Sequence, residues 1–236
     1  MRLDVILDAF PKLLVGAGIT VQLTVIVIFF GLIGGSLMGI ARLSPIPAVR
    51  IATRIYVDFF RGTPLLVQIF MVYFGIPSLI QSMGSQFSFS RPVAAILALS
   101  LNATAYIAEI VRSGIQSIEL GQREASESLG LSPMQTMGYV IFPQAFRRII
   151  PPLGNEFITL LKDTSLVSII SYEELFREAE LAAATNYRYF ELFGTVAMVY
   201  LVMVIVLSQF FSWLENALNP ANRGKRTKPK PVVEEV

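Results

Sequence analysis

Two short stripes of polar side chains stand in stretches that are otherwise apolar. Residues 149–170 carry Glu156, Lys162 and Asp163 among apolar neighbours. A charge at the centre of a bilayer costs on the order of 2.5–3.5 kcal/mol on insertion scales, so intramembrane ionisable groups face protein or a wet cavity. The spacing of Glu156 and Asp163 brings them within about 20° of one helix face and about 10.5 Å along it, with Thr159 between them on that face. Asn102, Tyr106 and Glu109 form a second stripe at i, i+4 and i+7, and Arg112 is placed to pair with Glu109 one turn on. Two polar stripes on two helices imply a shared cavity. Glu156 and Asp163 would supply negative charge there, and Asn102, Thr104 and Tyr106 neutral hydrogen bonds. A plainer arrangement is open as well, in which Asp163 pairs with Lys162 or caps Thr164 and Ser165, and Glu156 pairs with a neighbouring helix.

These groups form a binding surface rather than a catalytic one. The chain has no Cys and no His. That removes disulfides, Cys/His zinc sites, thiol nucleophiles and imidazole acid–base chemistry, so no catalytic residue, metal site or cofactor is expected. A G-x-x-x-x-G-K-[ST] phosphate loop is absent, so nucleotide hydrolysis is not expected of this chain either.

The elements that hold the stripes are set by composition. Of 236 residues, 54% are hydrophobic and 15% charged, with a mean hydropathy of +0.62. Soluble domains carry about 25% charged residues. A net charge of +2 is too small for a nucleic-acid binder. The expectation is an all-α polytopic membrane protein with five transmembrane helices, over residues 13–41, 62–90 (apolar to about Ile80), 92–108, 149–170 and 192–214, each near the ~20 residues needed to cross a bilayer. Gly31, Gly35 and Gly39 give the first span a small-xxx-small edge suited to close helix approach. Pro151 and Pro152 read as the start of the fourth. Residues 171–189 read as an acidic surface helix. Thirteen of the nineteen Lys and Arg fall on one side of the membrane, in the loops 42–61 and 112–148 and in the tail. By the positive-inside rule that side is cytoplasmic, which puts the N-terminus outside and the C-terminus inside. Residues 1–219 read as one transmembrane domain, and 220–236 as a disordered basic tail.

The longest cytoplasmic segment, residues 112–148, reads as a helical hairpin. Gly121 and Gly130 bracket a short amphipathic helix, 122–129, and Gly130 is placed as its C-terminal glycine. Ser132-Pro133 opens a second helix, which Pro143 should end or kink. Such a hairpin is a rigid handle able to transmit a push from a soluble motor. The alternative is a loop that packs on the membrane face.

Glu124-Ala125-Ser126, three residues, Gly130, nine residues and Val140-Ile141-Phe142-Pro143 resemble the EAA motif of ABC importer permeases, with departures at Ser126, Val140 and Phe142. Residues 56–68 (YVDFFRGTPLLVQ), 102–112 (NATAYIAEIVR) and 161–166 (LKDTSL) resemble signatures of the polar amino-acid uptake subfamily. The resemblance implies the ABC type I permease fold and a dimeric core of identical or related chains in the bacterial inner membrane. It also implies two ATPase subunits that carry the ATP and magnesium, and an extracytoplasmic amino-acid-binding protein. It assigns ATPase docking to Gln122, Arg123, Glu124, Ala125, Ser126, Leu129 and Gly130 in a coupling helix at about 121–131. It makes Asn102, Thr104, Tyr106, Glu156, Thr159 and Asp163 candidates for a substrate pocket. Two carboxylates there favour a basic amino acid, with glutamine, glutamate or another polar amino acid as the alternative. Arg61, Gly62, Thr63 and Pro64 could bend as a gate, although a cytoplasmic anchor alone would explain Arg61. An ion-gradient-driven secondary transporter is the rival from another class, but the inverted repeats common in such folds are not visible. An intramembrane hydrolase lacks the necessary side chains.

Overall fold

A backbone in lipid must satisfy its own hydrogen bonds, and a helix does so within one segment. A computed structural model describes residues 3–218, and among these the architecture is all-α. The chain runs through α1 (Leu3–Ala41), α2 (Pro47–Gly62), α3 (Leu65–Ser82, with a π-helical stretch at Met71–Gly75) and α4 (Arg91–Gln116). After the short α5 (Leu120–Ser128) comes α6, residues 133–163. It is built from one α-turn (Pro133–Gln135), a π-helical stretch (Thr136–Ile141) and a long α-helix (Phe142–Asp163) without interruption. A 3₁₀ stretch (Thr164–Ile170), α7 (Leu175–Asn186) and α8 (Tyr189–Leu218) complete it. The expected basic tail lies outside the described residues.

Among those residues α1, α3, α4 and α8 are long and apolar enough to cross a membrane. The fifth expected span, within α6, is not among them. Arg147, Arg148, Glu156, Lys162 and Asp163 dilute its apolar content.

The core forms where α1 lies along α4. Leu23, Val27, Leu99, Ala103 and Ile107 are fully buried there. The glycine edge of α1 is the seam. A Cβ on Gly35 would sit 2.6 Å from the Ile107 side chain, and one on Gly39 2.8 Å from the Ala108 carbonyl oxygen. The backbones approach this closely because nothing stands between them.

Four expectations are corrected. Residues 47–62, read as a charged cytoplasmic loop, form helix α2. It buries Thr53, and packs Val57 against Ala105 and Ala108 of α4. The span expected over the uncharged run 62–90 is shorter than that run, because the helix begins only at Leu65, after Pro64, and ends at Ser82. Pro151 and Pro152 do not start a helix but sit inside α6. They leave the carbonyls of Arg147 and Arg148 without the usual amide partner, a defect that bundle helices can absorb. Pro143 does not end its helix either. The irregularity is the π-helical stretch just before it, the kind of ladder defect that accompanies proline.

Candidate functional site

The hairpin between α4 and α6 is built from its caps inward. Ser132 opens α6 with a capping box, its Oγ accepting from the Gln135 amide while the Gln135 side chain accepts from the Ser132 amide. Gly130, at φ +82°, closes α5. The Leu131 amide donates to the Ser126 carbonyl at 3.1 Å and the Gly130 amide to the Glu127 carbonyl at 2.9 Å, the paired bonds of a Schellman motif. Gln122, Arg123, Glu124, Ala125, Leu129 and Gly130 are all exposed. Ser126 alone of the proposed docking residues faces inward. It is buried, and its Oγ lies 2.7 Å from the Arg123 carbonyl and 3.0 Å from Oγ1 of buried Thr136. Ser126 therefore pins α5 to the start of α6. Around the handle, Leu120, Leu129, Met134 and Tyr139 are 72–85% exposed, an apolar cap on an otherwise polar projection.

Arg61-Gly62-Thr63-Pro64 is the joint between α2 and α3. Pro64 has no amide hydrogen, and the last carbonyls of α2 have no helical partner. Buried Gln68 supplies one. Its Nε2 lies 2.8 Å from the Phe60 carbonyl, 3.1 Å from the Thr63 carbonyl and 2.9 Å from Thr63 Oγ1. Asn102 completes the brace by donating from Nδ2 to Gln68 Oε1 at 2.9 Å. Asn102, expected in a substrate pocket, is thus engaged in holding the joint. Thr104 is also buried, facing Gly34 of α1. Gln68 was missed as a functional residue. Its polar side chain in an apolar run, one turn after Pro64, is the signal that pointed to it.

Arg61 leaves the joint over the ring of Tyr106, with its guanidinium carbon 5.4 Å from the centroid, and lies 3.8 Å from Glu109. Glu109 also pairs with Arg112, as expected from their spacing, and with Arg42 at the end of α1. Glu156, Thr159 and Asp163 share one face of α6. Leu153, Gly154, Leu160 and Leu161 pack inward, whereas Glu156 and Asp163 are half-buried and Thr159 is exposed. The polar stripe is therefore left partly uncovered by the described residues.

On the opposite side Glu174 caps α7 by accepting from the Arg177 amide at 2.8 Å. It is fully buried, and Tyr200 and Thr20 donate to its other oxygen at 2.9 and 3.3 Å. Burial pushes its carboxyl above the ordinary value of about 4.5, and those hydrogen bonds pull it partly back. The helix it starts is not the free surface helix expected, because Leu175, Ala179 and Ala183 are buried beside α1 and α8.

Residues 10–224 match the family described as binding-protein-dependent transport system inner membrane component. The chain is similar to the glutamine transport system permease protein GlnP of Escherichia coli (strain K12), 38% identical over 210 residues covering 89% of this chain and 94% of that one. It is similar also to the arginine transport system permease protein ArtQ of Bacillus subtilis (strain 168), 39% identical over 199 residues covering 84% and 88%. The crystal structure of an amino acid ABC transporter with histidines superposes with a TM-score of 0.85 at 35% identity, over 92% of this chain and 99% of that one.

Proposed function

The chain belongs to the family of binding-protein-dependent transport system inner membrane components, and from that premise we propose that it is the permease subunit of an ATP-driven importer of polar amino acids, basic ones preferred. One observation carries the mechanism. The exposed handle α5 is pinned through Ser126 and Thr136 to α6, and α6 runs on as one helix to Glu156 and Asp163. At about 1.5 Å per residue this is a lever of about 45 Å, with an apolar docking cap at one end and the polar stripe at the other. Two ATPase subunits bind the handles of two permease chains, identical or related, through Gln122, Arg123, Glu124, Ala125 and Leu129. Their closure on ATP draws the handles together and turns the stripes toward the outer side, where a receptor delivers the amino acid. Hydrolysis, on those partners, releases the handles and turns the stripes inward. The joint at Arg61–Pro64 flexes as the gate.

The names of the relatives, for glutamine and for arginine, support amino acids as cargo. The choice of basic ones rests on Glu156 and Asp163, two half-buried carboxylates on a partly uncovered face, with Thr159 and Tyr106 as neutral partners. In this reading the N-terminus is outside and the C-terminus cytoplasmic, the orientation that the distribution of Lys and Arg favours.

The test is uptake into proteoliposomes that contain the permease, its ATPase and its receptor, with each of the twenty amino acids. ATP-dependent uptake of arginine, lysine or histidine is expected, with Glu156→Gln raising their KM about tenfold, the equivalent of one charge-assisted hydrogen bond. Uptake of glutamine in preference to all three would overturn the basic class. An unchanged KM in both Glu156→Gln and Asp163→Asn would remove the stripe from the pocket. Uptake driven by an ion gradient without ATP would overturn the reading as a whole.

A further inference from the structure

The cytoplasmic ends of α1, α2 and α4 enclose a cavity of about 420 Å³ whose charge the transport reading leaves unexplained. Five guanidinium groups line it: Arg42, Arg50, Arg54, Arg61 and Arg112. Among the described residues only two carboxylates answer them. Glu109 is shared among Arg42, Arg61 and Arg112, and Asp58 takes Arg54 at 3.3 Å on an exposed edge. Among the described residues Arg50 has no carboxylate within ion-pair distance. The cavity therefore carries three uncompensated positive charges.

Helix α2 gives this excess a direction. Arg50, Arg54, Asp58 and Arg61 recur at helical spacing along one side. Beside them Ile51, Ile55 and Phe59 form a second stripe, each 56–65% exposed, and Ile51 belongs to the cavity wall as well. An apolar stripe flanking an arginine stripe, on a helix packed along a membrane-crossing one, matches an amphiphile whose anionic head enters the cavity while its chains lie on Ile51, Ile55 and Phe59. Guanidinium forks hold phosphate oxygens in pairs, and basic pockets at the cytoplasmic ends of transmembrane helices suit acidic lipid heads.

We propose that this cavity is a binding site for the phosphate head of an anionic phospholipid of the cytoplasmic leaflet. The lipid bridges Arg50 and Arg54 of α2 to the cluster at Glu109, and so ties the joint at Arg61–Pro64 to the surrounding bilayer. The cavity wall includes neither Glu156, Thr159 and Asp163 nor the docking handle, so lipid binding can be read with neither substrate nor ATP present.

The experiment is native mass spectrometry of the purified permease–ATPase complex, titrated separately with phosphatidylglycerol, phosphatidylcholine and inorganic phosphate. Wild type should retain phosphatidylglycerol through detergent exchange and phosphatidylcholine far less. Each surface arginine contributes about fivefold in affinity to an acidic lipid. Arg50→Gln should therefore weaken retention about fivefold and Arg50→Gln with Arg54→Gln about thirtyfold, while Arg147→Gln, an exposed arginine outside the cavity, should leave it unchanged. Circular dichroism and subunit stoichiometry of the same samples establish that the variants are folded and assembled. Equal retention of phosphatidylglycerol by wild type and the double variant would overturn the proposal, as would equal retention of phosphatidylcholine. Saturation by inorganic phosphate that excludes the lipid would overturn the lipid source and leave the arginines serving a soluble anion. Loss of permease pairing in the double variant, with lipid retained, would show that this side of α2 receives a second copy instead.

Discussion

Replacing Gln68 by methionine, close in volume and apolar, should loosen the joint between α2 and α3 without touching the handle or the stripe of Glu156, Thr159 and Asp163. The side chain is 6% exposed and makes four hydrogen bonds, three donated to Phe60 and Thr63 and one accepted from Asn102. Methionine fills the space but leaves Asn102 Nδ2 and the Phe60 carbonyl without that partner. The Phe60 carbonyl then has only Asn102 Nδ2 at 3.5 Å. A buried polar group deprived of its partner costs about 1–3 kcal/mol, and two such groups give about 2–4 kcal/mol once relaxation of the pair is allowed. The Thr63 contacts are discounted because Thr63 is only half-buried. The assay is chemical unfolding of the detergent-solubilised permease–ATPase complex, with Thr63→Ala as the comparison at about 1 kcal/mol or less. The double replacement Gln68→Met with Asn102→Leu should recover part of the loss, because it removes both ends of one bond. A Gln68→Met complex no less stable than Thr63→Ala would refute the assignment of this network as the brace of the joint.

Other outcomes follow from the same geometry. Gly35→Ala should cost about 1–3 kcal/mol by overpacking the α1–α4 seam, measured by unfolding, whereas Gly18→Ala, where a Cβ meets nothing within 4 Å, should be neutral or slightly stabilising. Ser126→Ala should lower the number of amino acids imported per ATP hydrolysed because it orphans Thr136 Oγ1, and Ser126→Ala with Thr136→Val should restore the ratio. An unaffected ratio in the single variant would separate α5 from α6 mechanically. Glu174 has a folded pKa above its unfolded one, so it contributes stability that is fully present below about pH 4.5 and is lost as pH rises through the folded value. Melting curves across pH should show that dependence in wild type and a flatter one in Glu174→Gln; identical profiles would remove Glu174 as the source.

Four of the apolar spans were legible because lipid demands long uninterrupted runs, and the close-approach edge of α1 because glycines four apart leave a groove, though nothing in it named α4 as the helix that fills it. The handle was legible from its punctuation, with Gly130 and Ser132 standing at the positions where a helix must stop and start. What was not legible has specific causes. Helix α2 was hidden because Arg42, Arg50, Arg54 and Arg61 look like a positive-inside loop, while the apolar period of Ile51, Ile55 and Phe59 runs beneath them. Paired prolines read as a helix start by statistics for single helices, whereas α6 carries Pro151 and Pro152 in its interior. Asn102 looked like a pocket residue because a polar group in a span demands a partner. The sequence could not say that the partner was Gln68, 34 positions away. Glu174 was lost among solvated acids, since one carboxylate turned inward to cap a helix has the same sequence appearance as its exposed neighbours.

The central claim is that α5 is the surface through which an ATP-hydrolysing subunit moves the polar stripe. A photoreactive residue placed at Leu129, in membranes that hold the whole transporter, tests it most directly. A crosslink to the ATPase subunit is predicted, with a yield that changes between nucleotide-free and ATP-bound states and with none from the same probe at Tyr187 on the opposite side. Absence of any ATPase adduct from Leu129 while amino-acid uptake proceeds at the wild-type rate would contradict it.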